Sequence, residues 1–562
     1  MRRLVFASAS LLFAGILGGN TITPQIGGGI SNGFDGGISS PSSSFTFFVD
    51  SVNGNDSNSG TSAAKAFQNI TALPTITAGQ SVGLARGSYW RQELRISANN
   101  VTVGSYGSGA LPILDGSNQV LNANITKTGG FTNIYQTPSL TFAAGGTSAW
   151  VNFFETGGPG DGIYGSFLTN VSAEATVDTT PCSYFISGMT PDGTLPATGT
   201  IFFHSCDGTS PITNGYTYEY SNRPTGLYLN GLNNIAVNIE TRKAADDLGS
   251  LQCQTDGAAC QFNGVISRLG GKHNAFAACG SSITNSYFID GYYSTTGSNL
   301  LVFFDNTGTG KPISISGSYF QQDQWLSGVL SSAIISHTAG GSCGNVSLSN
   351  VWMIAKNPPA TVTFSGPSFA NAGTVTFNSV YSSALAMFAT FQQTSIVNNS
   401  QAVSASLNNN QIQLLSGAAV TLNNAKICSG NINNGLIFAN AAGINLTING
   451  GLYYVNTPVT NFAVLLQAPN ATTWSVNGAD IGTAQTSGAF YLYNNFSGSG
   501  SVFTGSNNLY EVGGNTGNWA LNGTYETSLA SWQTLTSQDA GSTVGTGSAS
   551  NACTLPTIPV IN

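Results

Sequence analysis

The sequence predicts an all-β protein whose short strands wind as a solenoid of stacked parallel sheets. Three observations carry that reading. The composition disfavours helices, because Gly fills 70 of 562 positions and Asp, Glu, Lys and Arg together make up only 7%, which leaves few of the strong helix formers. Short runs alternate apolar and polar residues around an Asn or Gly, as in SITNSYFIDG and NLTINGGLYY, the period of half-buried strands. These runs also recur. Taking Ile283, Ile313, Val346, Val375, Val420, Leu446 and Trp474 as equivalent gives steps of 30, 33, 29, 45, 26 and 28 residues, the spacing of architectures in which each unit buries its apolar side against its neighbours. The step of 45 reads as two coils, the extra one passing through QAVSASLNNN near Val403. Strands stacked at one coil per repeat run parallel, with Ile, Val, Leu and Phe inward. Asn and Gly at the corners supply left-handed backbone for the changes of direction. A propeller fits less well, since the spacing is too irregular for blades. An antiparallel sandwich would need more Asn-Gly hairpin signals.

Residues 1–25 form an apolar N-terminal segment in which MRRLVFASASLLFAGILGG has the layout of a secretory signal, with a poor cleavage site before Asn20. A signal peptide and a retained apolar anchor both stay open. Residues 26–44, IGGGISNGFDGGISSPSSS, read as a Gly/Ser-rich linker. Residues 45–118 hold the first coils: FTFFVDSVNGNDSNSG gives a strand and a polar turn, SAAKAFQNI is compatible with a short helix, and SVGLARGSYW and NNVTVGSYG are strands with turns. Residues 119–222 break the period with aromatic-rich runs such as SAWVNFFETGG, TIFFHSCDG and YTYEYSNRP, the mark of a β-rich insertion folded over one side. Residues 223–540 carry the main stack and 541–562 a C-terminal tail. Past the N-terminal segment no stretch approaches the ~20 apolar residues that span a membrane.

The formal net charge is −8 and no basic run is present, so the electrostatic footprint of a nucleic-acid binder is missing. Eight cysteines lack the paired C-x-x-C spacing of a zinc site. Cys253 and Cys260 are the favoured local disulfide pair in an oxidising compartment, with buried free thiols the alternative.

FVDSVNGNDSNSGTSAAKAFQNI, followed by AGQSVGLARGSYWRQELRI, NNVTVGSYGSGALPILDG and the later coils, resembles the opening of right-handed parallel β-helix proteins of the pectate-lyase-like superfamily, which includes polysaccharide lyases and phage tail spikes. The resemblance spans roughly residues 45 to 540 and specifies fold far better than activity. It implies a right-handed β-helix, an insertion that helps wall a binding groove, and a closing segment, SLASWQTLTSQDAG, over the last coil's open edge. It also implies a homotrimer for the spike type, and calcium held by carboxylates for many lyases, although no calcium motif is legible.

Charge is concentrated in ISRLGGKHNAF and its surroundings. Arg242, Arg268 and Asp290 fall about one coil apart, so they are expected on neighbouring rungs of one lateral surface that Lys243, Asp247, Lys272 and His273 join. Such a surface suits an acidic glycan. In β-elimination one cation neutralises the uronate carboxylate and a second basic group removes the C5 proton. On this reading Lys272 is the base, His273 a competing base, Arg268 and Arg242 bind the carboxylate, and Lys243, Asp247, Asp290, Tyr292 and Tyr293 hold the glycan. Hydrolysis by a carboxylate pair is the rival chemistry, with Asp247 and Asp290 a better couple than the adjacent Asp246 and Asp247. The bland alternative is a salt-bridged ladder, which contributes little at a surface. His204 and His337 stand alone in apolar surroundings and read as structural. Tyr287, Tyr319, Trp325 and Trp352 recur near rung ends, where exposed rings stack on sugars, whereas Phe288 and Phe320 read as core.

Three functions follow, in order: a glycan-binding virion spike or fibre that also contacts other virion proteins, a secreted polysaccharide lyase, and a non-enzymatic rod or decoration protein. The first two place the protein outside the cell, on a virion surface or secreted. None involves nucleic acid.

Overall fold

The computed structural model describes residues 44–142, 151–158, 165–189, 196–245, 251–253, 260–270, 273–291, 300–305, 310–323, 331–337, 343–356, 363–369, 372–385, 387–404, 410–432, 435–458, 463–483, 491–495, 500–511, 518–545 and 555. The chain is a right-handed parallel β-helix. Each full coil places a strand on each of three faces. In one coil these are Ser282–Thr284, Tyr287–Gly291 and Leu300–Asp305, and the next coil repeats them as Ile313–Ser316, Tyr319–Gln322 and Ile335–His337 in parallel register.

The corner between the first and second faces shows why Asn and Gly punctuate the repeat. Asn238, Gly264, Asn285, Gly317, Asn350, Asn399, Asn424, Gly450, Gly478 and Asn507 all have φ between 48° and 67° there. Other L-residues pay roughly 1–2 kcal/mol for that conformation, which Asn tolerates and Gly adopts freely. Just before this corner the Asn side chains form their own ladder. Asn398 donates to Asn378 at 2.7 Å, Asn423 to Asn398 at 2.8 Å and Asn449 to Asn423 at 2.9 Å.

Inward positions build one continuous core. Phe288 and Phe320 stack inside it at 5.3 Å and 12°, as expected of core residues. In register, Val346, Val375, Val420, Leu446 and Trp474 are equivalent, and the extra coil is Thr394–Asn398 with Gln401–Ser404. The expected equivalence of Ile283 and Ile313 is displaced: Ile283 faces Ile315, because that coil is two residues longer than the alternation alone suggests. The helix-compatible SAAKAFQNI yields only a single 3-10 turn, Ala63–Lys65, since Phe67 is drawn into a parallel bridge with Val49 and buries its ring.

The stack closes at the C-terminus with the helix Leu529–Thr536. Its N-cap Ser528 accepts from Ser531 N, and Trp532 buries fully against Phe503 and Tyr493 at 4.9 and 5.8 Å. This covers the open end of the hydrophobic interior. No helix among the described residues is long and apolar enough to cross a membrane.

The aromatic runs fold into an antiparallel module between strands Ser117–Val120 and Thr217–Ser221. It loops out without interrupting the stack, because strand Ile113–Asp115 before it pairs directly with Glu240–Arg242 after it. Gly116 pins the neck: its N–H donates to Arg242 O at 2.7 Å and its carbonyl accepts from Asn222 N and Arg223 N at 2.8 and 2.9 Å. A Cβ at Gly116 would lie 2.6 Å from Ala244 Cα, so only glycine allows this approach. Phe153, Phe203 and Tyr218 form the module's aromatic centre, and Cys182–Cys206 ties it. Cys253–Cys260 is the favoured local pair, and Cys279–Cys343 joins the segments leading into Ser282–Thr284 and Val346–Ala355, between which the Ile313–Ser316 coil intervenes.

Candidate functional site

The second face of the helix, running from Tyr89–Trp90 to Thr543–Gly545, gathers the charged and aromatic residues into columns. Parallel in-register stacking puts equivalent outward positions of successive coils directly above one another, about 4.8 Å apart.

At the N-terminal end Arg242 faces Asp115 on one side and Arg268 on the other. Arg242 Nε donates to Asp115 Oδ2 at 3.0 Å, and Tyr89 OH donates to the same oxygen at 2.7 Å. Glu240 Oε1 lies 3.6 Å from Arg268 Nε and 3.9 Å from Arg242 Nη1. Lys243 and Arg91 both pair with Glu219, which the antiparallel module contributes. Burial opposes ionisation of Asp115, but the charges of Lys243 and Arg242 outweigh it and hold the carboxyl below its ordinary value.

Lys243 and Leu269 adopt φ of 55° and 49°, a conformation costly for such residues that persists where surroundings over-determine it. The kink turns both side chains into the module. Lys243 lies 5.2 Å from the Phe154 ring centroid, and Leu269 packs with Phe154 and Phe167. Lys243 and Leu269, with Arg91, therefore dock the module onto the solenoid.

This placement differs from the expected open surface. Arg242 and Arg268 do come together, but their side chains are 15% and 4% exposed and Lys243 is 3% exposed, each supplied with a protein carboxylate. Asp290 is one residue out of register: Arg268 faces Ile289, and the buried Asp290 is level with Leu269, its Oδ1 accepting from Asp323 N at 2.6 Å. His273 begins a strand on the third face and is buried. His204 is buried too, its Nδ1 3.1 Å from Val177 O. Asp246, Asp247, Lys272, Tyr292, Tyr293 and Trp325 lie outside the described residues.

Beyond the module the neighbouring outward column, which runs through Glu240 and Ile266, becomes aromatic. Tyr287, Tyr319, Trp352 and Tyr381 are in register on four successive coils. Tyr287 and Tyr319 lie 6.0 Å apart at 38°, and Trp352 stacks on Tyr381 at 4.4 Å and 27°. Tyr319 is buried between its neighbours, whereas Tyr287, Trp352 and Tyr381 stay half-exposed. Burial raises the Tyr287 and Tyr319 hydroxyls, so both remain neutral donors. The column continues through Gln401 and the exposed Lys426 to Asp480. An aromatic strip followed by an amide and an ammonium offers apolar contact and hydrogen-bond donors along one line, the pairing that a sugar's C–H faces and hydroxyls require.

The calcium implied by the resemblance finds no ligand set here, since among the described residues no three His, Cys, Asp or Glu side chains converge. A cleft of about 600 Å³ lies elsewhere, between Ile70–Ile76 and Glu93–Ala98, where Arg95 Nε meets Glu93 at 2.6 Å and stacks over Tyr228.

No protein-family model and no characterised protein matches the chain. Among solved structures it is similar to XylC in complex with xylose, with 10% identity, a TM-score of 0.33, and 84% of this chain and 71% of that one covered. It is similar to the GH136 lacto-N-biosidase from Eubacterium ramulus, with 10% identity, a TM-score of 0.34 and coverage of 83% and 67%. The tailspike gp49 from Pseudomonas phage LKA1 gives 12%, 0.32, and 78% and 70%.

Proposed function

We propose that the protein is an extracellular polysaccharide-binding β-helix, of the kind that a virion uses as a spike or fibre to contact a cell-surface glycan. One observation carries the reading: the column Tyr287, Tyr319, Trp352 and Tyr381, in which all rings but the buried Tyr319 are half-exposed, continued by Gln401 and Lys426. Exposed aromatics held in a line on a rigid scaffold are pre-organised for a linear ligand, which limits the ordering cost of binding. Disulfides Cys182–Cys206, Cys253–Cys260 and Cys279–Cys343 support an oxidising, extracellular setting. Virion attachment is supported by the Gly-rich neck after an apolar N-terminal segment, and trimeric assembly by the resemblance.

The test is a panel of capsular and cell-wall polysaccharides titrated calorimetrically against the wild type, Trp352→Ala and Tyr381→Ala. Each ring is expected to account for about 1–2 kcal/mol of binding, or about 5- to 30-fold in affinity. Binding unchanged in both variants refutes the site. Sedimentation equilibrium reports the trimer.

A further inference from the structure

Farther along the same face two carboxylates lie near one another with no cation beside them among the described residues. Strand Asp480–Thr483 pairs with Leu509–Glu511 so that Asp480 faces Leu509 and Gly482 faces Glu511. Asp480 and Glu511 therefore project from one face on adjacent rungs, offset by two residues, with backbones roughly 8 Å apart given strand rise and spacing. Asp480 Oδ1 and Glu511 Oε2 are both shielded from water and have no hydrogen-bond partner among the described residues, although both residues are otherwise half-exposed. Buried carboxylate oxygens are almost always satisfied, and leaving two like charges unsatisfied side by side opposes folding. Room is made for them nonetheless. Glu511 lies between Gly482 and Gly545 in register, and a Cβ on Gly482 would sit 2.9 Å from Glu511 Cβ and 3.4 Å from its Oε2. The nearest cation in the column is Lys426, two rungs before Asp480.

We propose that Asp480 and Glu511 are a catalytic acid and base that hydrolyse a glycosidic bond of the polysaccharide lying along this face. The inference rests on the glycan-binding reading for the substrate's path. Four rungs, roughly 19 Å, separate Tyr381 from Asp480, so a chain seated on the aromatic column reaches the pair. Asp480 gives its proton to the glycosidic oxygen as the bond from that oxygen to the anomeric carbon breaks. Glu511 takes a proton from a water molecule as the water oxygen bonds to the anomeric carbon. One water is consumed, two shorter glycans leave, and proton exchange with solvent restores both carboxyls. Direct attack by water, with no covalent glycosyl intermediate, makes this an inverting reaction. Burial, with the Glu511 charge beside it, pushes the Asp480 carboxyl up to about 6, so it keeps a proton well above the range of an ordinary aspartate while Glu511 serves as the base.

The experiment incubates the full-length protein with each polysaccharide that it binds and measures new reducing ends, beside Asp480→Asn and Glu511→Gln. Each variant is expected to lose about 100-fold or more in turnover with its glycan affinity within about threefold of the wild type, and neither should melt lower, because each removes one of two opposed charges. The turnover of the wild type should fall above pH 6 as Asp480 ionises. Turnover within threefold of the wild type in either variant overturns the assignment. So does a wild type that binds a polysaccharide and releases no reducing ends, a result that leaves the aromatic column standing. Conversely, binding that survives loss of Trp352 and Tyr381, with cleavage still abolished by Glu511→Gln, removes the column and keeps the pair.

Discussion

If the charges around Lys243 dock the antiparallel module, removing one of them should loosen the module while the solenoid stays folded. Lys243→Met is the informative change, because it deletes the ammonium and keeps a stem able to pack on Phe154, 5.2 Å away. The Lys243 and Glu219 side chains are only 3% and 5% exposed. Breaking a buried pair by removing one partner costs about 3–5 kcal/mol, and Coulomb's law at an effective dielectric of 20 gives about 4 kcal/mol for charges at 4 Å. Arg91 remains on Glu219 in the variant, so the lower end, about 3 kcal/mol, is expected. Two-state melting does not isolate a module in a chain this long; native-state hydrogen exchange does. Amides of Thr217–Ser221, bonded to Ser117–Val120, should exchange about 100-fold faster by opening of the module, while those of Ile444–Asn449 in the distant stack should not change. Adding Glu219→Leu should cost less than the sum of the single changes, since the apolar pair leaves no buried charge unmatched. A change below about threefold in Lys243→Met, the level of a solvent-screened surface pair, would refute the docking argument.

Stability should depend on pH through two carboxyls in opposite ways. Asp480 has a folded value of about 6 against 3.8, so the native state holds more protons across that window, and stability falls as pH rises through it. Melting temperature should therefore climb between pH 7 and 5, and the climb should vanish in Asp480→Asn. Asp115 is shifted downward, so its contribution is present above pH 3.8 and is lost below it, and Asp115→Asn should flatten that acid limb. Gly264→Ala places a Cβ 2.3 Å from Asn238 Oδ1 at φ +63° and should lower stability by about 1–2 kcal/mol, read by urea titration. Replacing Cys279 and Cys343 by Ser opens a 64-residue loop and should cost about 4 kcal/mol in the chain-entropy account, measured the same way.

The winding was legible because its causes are local and repeated. Alternation fixes which side chains point inward, and an Asn or Gly every coil fixes the corner, so Val346, Val375, Val420, Leu446 and Trp474 could be aligned from spacing alone. The Ile283 offset shows the limit, since a loop of altered length between two strands leaves no trace in the alternation. The docking network was half legible. Arg242, Lys243 and Arg268 are conspicuous in a sequence so poor in charge, but Arg242 finds Asp115 at a separation of 127 residues and Arg91 finds Glu219 at 128. Those carboxylates sit singly, Asp115 at the end of an apolar run and Glu219 among tyrosines. Asp480 and Glu511 were missed for a related reason: each stands apart from other charges, and only stepping one coil forward from Asp480 reveals Leu509 with Glu511 two residues on.

A column of a parallel β-helix is effectively a one-dimensional surface, so what covers one end decides where a linear ligand can lie. On the second face the module closes the column as far as Leu269, whose side chain is packed under Phe154 and Phe167. The first half-exposed ring, Tyr287, is on the next coil, level with Ile266. On the proposed reading, a glycan on this face would meet a wall at the module and extend toward the C-terminus, over Trp352 and Tyr381 and on to Asp480 and Glu511. On that reading the ion pairs beneath the module would have a functional consequence without touching substrate. By holding Glu219 and Phe154 against Lys243 they fix that wall, and with it the length of open column between the wall and the carboxylates. Loosening the dock with Lys243→Met should accordingly shift the length distribution of any oligosaccharide products, while Tyr381→Ala lowers affinity and leaves that distribution unchanged.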